Sequence, residues 1–116
     1  MSNNKHIAET IIDQLGGNKF IAMTGSKNFV WDDKNLTLTF ALSGLAQKKA
    51  KGNRIKIQYD YNQDLYNMSL CKYFSPTLKR ILEKRDLWEV RASVNGIFFD
   101  QIQEFFCEWT GLDIHL

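Results

Sequence analysis

At 116 residues, with 44% hydrophobic and 13% aromatic content and a single proline, the chain carries enough apolar material for one compact domain without disulfide staples, and its composition argues against disorder. Its formal net charge of +2 is far from that of a polycation, yet it is unevenly divided. Residues 1–58 carry nine Lys/Arg and four Asp/Glu, and residues 59–116 carry six and nine, so two differently charged surfaces are expected to meet partners.

In chain order, Ile7, Ala8, Ile11, Ile12 and Leu15 recur at helical spacing over residues 3–15, with Ser2 to Asn4 as caps and Gly16 as the stop. Asn18 is placed to cap a further one-turn helix or compact loop in which Phe20, Ile21 and Met23 point inward and Gly25 ends the turn. Phe29 to Trp31 then precede the turn formers Asp32, Asp33, Lys34 and Asn35. Beyond them Leu36, Leu38, Phe40 and Leu42 alternate with Thr37, Thr39 and Ala41, which predicts an antiparallel hairpin with one buried face. Ile55, Ile57 and Tyr59 predict a third strand, and Tyr66, Met68 and Leu70 a fourth.

Ser75 and Pro76 read as the cap and first position of a short helix or ordered excursion, with Leu78, Ile81 and Leu82 at helical spacing. Trp88, Val90, Ala92 and Val94 alternate as a strand that Asn95-Gly96 is expected to break. Phe98, Ile102, Phe105, Phe106 and Trp109 then trace the apolar stripe of a last helix stopped at Gly111. The expected fold is a single α+β domain over residues 1–116, an antiparallel sheet of about four to five strands flanked by N- and C-terminal helices, with residues 75–86 as an inserted helical segment.

Candidate chemistry is sparse. Gly16-Gly17 and Thr24-Gly25-Ser26-Lys27 look like pieces of a phosphate cradle, but a P-loop needs its glycines between a strand and a helix. Here they follow a helix and precede a strand, so they read as stops and turns. His6, His115, Cys71 and Cys107 lack metal-ligand spacing, and a nucleophilic role for either thiol needs a base such as His115, which only folding can bring near and which the terminal tail supports poorly. Neither a metal nor a cofactor is expected, and both cysteines are expected as free, largely buried thiols in a reducing compartment. No apolar run is long enough for a bilayer span, and a cytoplasmic location is expected.

The charged and aromatic residues offer contact surfaces. Lys48, Lys49, Lys51, Arg54 and Lys56 supply five positive charges from a loop onto a strand, a pattern suited to phosphates. Lys79, Arg80, Lys84 and Arg85 form a second basic cluster in the inserted segment, diluted by Glu83 and Asp86. Asp100, Glu104 and Glu108 recur every four residues on the last helix and read as a solvated face or a strip for a basic partner. Of the four tyrosines, Tyr59 and Tyr66 are expected to face inward and Tyr61 and Tyr73 to lie on the surface.

The segment Gly16-Gly17-Asn18-Lys19-Phe20-Ile21-Ala22-Met23-Thr24-Gly25-Ser26-Lys27-Asn28-Phe29, with Asp64-Leu65-Tyr66 and the ending Thr110-Gly111-Leu112, resembles a group of short proteins from bacteriophages and integrated mobile elements of gut bacteria. The resemblance covers nearly the whole chain, with residues 74–87 as an insertion, and brings no catalytic residues with it. It implies a small phage protein that acts in a bacterial host by binding rather than catalysis. The leading expectation is an inhibitor of a host factor through protein–protein contact, for example a CRISPR nuclease or other defence complex. The alternative is an accessory nucleic-acid-binding protein using the basic segment 48–56.

Overall fold

The computed structural model describes residues 5–44 and 50–111. Helix α1 (Lys5–Leu15) and helix α2 (Gly17–Thr24) lead into strands β1 (Lys27–Asp32), β2 (Thr37–Ala41), β3 (Arg54–Asp60) and β4 (Leu65–Tyr73). A five-residue helix α3 (Leu78–Leu82), strand β5 (Trp88–Ile97), a 3-10 turn (Phe99–Gln101) and helix α4 (Ile102–Thr110) complete the chain. The five strands form an antiparallel sheet in sequence order, so the fold is α+β.

Alternation decides which face the helices cover. Leu38 and Phe40 of β2, Ile55 and Ile57 of β3 and Met68 and Leu70 of β4 are buried on one face with Ile11 and Leu15 of α1, Phe20 of α2 and Ile102 and Phe106 of α4. Phe20 is the hinge of this layer, its ring edge-on to Phe106 at 4.8 Å and to Phe40 at 5.9 Å. Such pairs add about 0.5–1.5 kcal/mol each to plain apolar burial. The outer helices are tied directly, since Gln103 Nε2 donates to the Leu15 carbonyl at 2.9 Å.

The joint between α1 and β1 is more ordered than a one-turn loop. Gly16 and Gly17 take φ of 128° and 63°, a reversal that lets α2 run for eight residues. Gly16 stands at the start of α2 with no side-chain cap, so Asn18 does not play that part. Met23 is half-exposed, and Thr24 is buried in its place, its hydroxyl bonded to the Phe20 carbonyl at 2.7 Å and to Ser26 at 2.8 Å. Gly25, at φ 68°, closes the helix on the Ile21 carbonyl.

The β1–β2 and β3–β4 turns use one device. Asp32 Oδ1 accepts the amides of Lys34 and Asn35, and Asp60 Oδ1 those of Asn62 and Gln63. Four residues after each aspartate the chain passes through the left-handed region, at Leu36 (φ 51°) and Asp64 (φ 54°).

Three expectations fail at the C-terminal half. Asn95-Gly96 does not break β5: Met68 pairs with Val94 and Tyr66 with Ile97, so the two residues form a bulge, with Gly96 at φ 69° and its amide held by Asn67 Oδ1 at 3.0 Å. Thr77, not Ser75, caps α3, accepting the Arg80 amide at 3.3 Å. Phe98, expected in the apolar stripe of the last helix, is exposed at 61% ahead of the buried part of α4; Leu78, Ile81 and Leu82 of α3 are exposed at 73%, 61% and 72%. The expected stop at Gly111 holds, at φ 72°, with its amide on the Cys107 carbonyl. The proposed caps Ser2 to Asn4 and the terminal Leu112 and His115 lie outside the described residues.

Candidate functional site: the uncovered sheet face

Opposite the helices, the sheet presents Thr37 and Thr39 from β2, Lys56 and Gln58 from β3, Asn67 and Ser69 from β4 and Ser93 from β5, lining a shallow groove of about 450 Å³. These are the polar partners of the alternation that buries Leu38, Ile57 and Met68.

One end of this face is aromatic and cationic, and a second bulge in β5 places it there. Leu70 pairs with Ala92, but Cys71 pairs with Val90 and Tyr73 with Trp88, leaving Arg91 as the extra residue. A one-residue shift exchanges the faces of a strand. Ala92 and Val94 therefore pack against the core while Val90 and Trp88 turn to the open side, at 66% and 38% exposure. Simple alternation, which puts all four on one face, is corrected at this point.

Trp88 lies beside Tyr73, ring centroids 4.8 Å apart. Each ring carries a cation from β3: the Arg54 guanidinium lies 5.3 Å from the Tyr73 centroid, and Lys56 Nζ 4.2 Å from that of Trp88. Asn53 fixes Tyr73 by accepting its amide at 2.7 Å and donating to its carbonyl at 3.0 Å. Gly52 lies so close to the Cys71 backbone that a Cβ there would fall 2.4 Å from the Cys71 carbonyl oxygen. The loop before β3 is thereby clamped to β4, and Arg54 is aimed along the strand pair.

The structure brings Arg54, Lys56 and Tyr73 together, as members of two separate sequence clusters, and adds Trp88, which sequence reasoning assigned to strand packing. Lys51 is exposed on the loop leading to Arg54, while Lys48 and Lys49 lie outside the described residues. The second basic cluster sits at the same end, because α3 and its flanking turns join Tyr73 to Trp88 and are closed by the Phe74 amide on the Leu87 carbonyl at 2.7 Å. Within it Arg80 stacks on Phe74 at 3.8 Å and donates to the Asp86 carbonyl. Lys79, Lys84 and Arg85 are exposed, Arg85 being paired with Glu83 at 3.0 Å.

Two expected contact groups stay apart from this end. Asp100 in the 3-10 turn and Glu104 and Glu108 on α4 are exposed on the helical side. Tyr61 is 76% exposed at the β3–β4 turn, beside Tyr59 and Tyr66, which face the core side as expected. Cys71 is a buried free thiol and Cys107 a half-buried one. Among the described residues, no three His, Cys, Asp or Glu side chains are grouped to hold a metal, and no helix is long and apolar enough to cross a membrane. Comparison with protein-family models, with curated proteins and with solved structures finds no match.

Proposed function

We propose that the protein is a non-catalytic binder of single-stranded nucleic acid, gripped on the uncovered face of the sheet. The observation that carries this reading is the Tyr73–Trp88 pair with a cation over each ring. Unpaired bases stack on aromatic faces with about 1–3 kcal/mol per base, whatever their identity, and neighbouring Arg and Lys neutralise the phosphates between them. Bases in a duplex have no such faces to offer, so a single strand is the better match. Arg54 and Lys56 move off the rings to phosphate as bases replace them, and the hydroxyl and amide rows along the groove receive sugars and base edges.

Fluorescence anisotropy with labelled single-stranded DNA, single-stranded RNA and duplex of equal length tests the reading. Single strands should bind more tightly than duplex, and log affinity should fall linearly with log salt. Equal indifference to all three at low salt overturns it. A host protein partner, the reading placed first by the sequence, draws on a different feature, the exposed Leu78, Ile81 and Leu82 of α3. A nuclease-resistant protein captured from host lysate, and lost on replacing those three residues by serine while single strands remain unbound, supports that inhibitor reading instead.

A further inference from the structure

A second cavity lies at the opposite corner of the molecule. Between the N-terminal turns of α1 and the β3–β4 turn lies a cavity of about 690 Å³ whose lining includes Ile7, Leu36, Tyr59, Tyr61, Asp64 and Tyr66. Among the described residues it shares no lining residue with the groove on the uncovered face.

The chemistry of this lining is specific. The Tyr59 and Tyr66 rings pack on one another, 5.3 Å apart at 48°, and both line the cavity. Tyr61, 76% exposed, stands at the rim as a third ring. Asp64 accepts the Tyr59 hydroxyl at 2.5 Å and is held in place by its left-handed backbone at φ 54°. Among the described residues the ion pairs join Arg85 to Glu83 and Arg91 to Glu89, and Asp64 takes part in neither. Burial and the neighbouring carboxylate hold the Tyr66 phenol above its ordinary pKa, and the bond to Asp64 raises that of Tyr59, so both rings stay neutral. His6 and Thr10 of α1 complete the polar edge.

We propose that this cavity binds the alkylated ammonium head of an organic cation. Three aromatic rings line the cavity, and a diffuse positive charge is attracted to the electron-rich faces of such rings. The single carboxylate supplies the counter-charge, and Ile7 and Leu36 take the methyl groups. A bare metal ion is poorly served, since hard divalent cations need about six oxygen ligands and, among the described residues, one carboxylate lines the cavity. The head belongs either to a free compound of the choline type or to a methylated lysine on a peptide.

Titration of the full chain by amide NMR, with choline, with N-acetyl-trimethyllysine amide, with the corresponding unmethylated lysine, and with 3,3-dimethylbutanol as the neutral isostere of choline, tests the proposal. Saturable shifts at Tyr59, Tyr61, Asp64 and Tyr66 are expected with the methylated cations, and affinity about tenfold lower or worse with the neutral isostere. The tighter of choline and trimethyllysine identifies the source. Asp64→Asn keeps a residue that tolerates the left-handed backbone and should lose about tenfold in affinity while the amide spectrum away from the cavity stays that of the folded chain; Tyr61→Ala should weaken binding likewise. Binding of the isostere as tight as that of choline, or no saturable shift with either methylated cation, overturns the assignment.

Discussion

Two aromatic pairs, at two ends and on two faces of one sheet, carry opposite charge environments. Tyr73 and Trp88 sit on the open face under Arg54 and Lys56, whereas Tyr59 and Tyr66 sit on the helical side beside Asp64. Ring geometry is similar, with centroids 4.8 and 5.3 Å apart at 52° and 48°. What differs is the sign of the neighbouring charge, and that sign decides whether the rings invite phosphate-linked bases or an organic cation. An aromatic pair is therefore a platform, and the adjoining ionic groups select its ligand.

The largest perturbation strikes the core shared by the helices and the sheet. Phe106→Ala opens a hole beneath Phe20 and Phe40 and should cost about 3–5 kcal/mol, read as a lower denaturation midpoint with an unchanged denaturant slope. Next, Gly52→Ala drives a methyl into the Cys71 carbonyl and should cost about 1–3 kcal/mol while loosening only the cationic end. Protection of the Asn53 and Tyr73 amides against hydrogen exchange should fall there and persist at Tyr59.

Function should then divide along the same line. Trp88→Ala should weaken single-strand affinity by about tenfold to a hundredfold, consistent with about 1–3 kcal/mol per stacked base. Replacing Arg54 and Lys56 by alanine should flatten the salt dependence by about 0.7 per lost phosphate contact. Neither change should alter choline titration at the other pair; an effect there would unite what the charge pattern separates.

The smallest effect concerns pH. The hydrogen bond to Asp64 pushes the Tyr59 phenol up to about 12 from its ordinary 10, followed by desolvation. The folded state therefore holds a proton that the unfolded state releases first. This contribution is intact below pH 10 and is lost as pH rises from 10 through about 12. Phenolate absorbance should show one late-titrating tyrosine, and Asp64→Asn should bring its titration back toward the ordinary value. At the acid end the bond from the Asn35 side chain, with the turn amides, holds Asp32 below its usual range. Its small contribution is present above the unfolded pKa and disappears as pH falls through the folded one, a step that Asp32→Asn should remove from the stability profile.

Much of the architecture was legible from local rules. Leu38, Phe40, Ile55, Ile57, Met68 and Leu70 are buried as their alternation requires, Gly25 and Gly111 end helices in the left-handed conformation, and Tyr59 and Tyr66 face the core side. Arg54, Lys56, Tyr61 and Tyr73 were marked as contact residues from charge and spacing alone. Trp88 and Asp64 were not, because nothing local distinguishes a tryptophan that packs from one that turns outward.

What the amino-acid order decides by itself is periodicity: which residues can share a face, where helices stop, and where an aspartate can bind the next turn's amides. What only the tertiary structure decides is phase and proximity across strands. The two bulges of β5 arise from its pairing with β4, and the one at Arg91 reverses the face that Trp88 shows. Residues as distant as Lys56 and Trp88, or His6 and Asp64, become neighbours only when the sheet closes its register and α1 docks on it. Those contacts depend on non-local pairing energies, to which a local sequence pattern is blind.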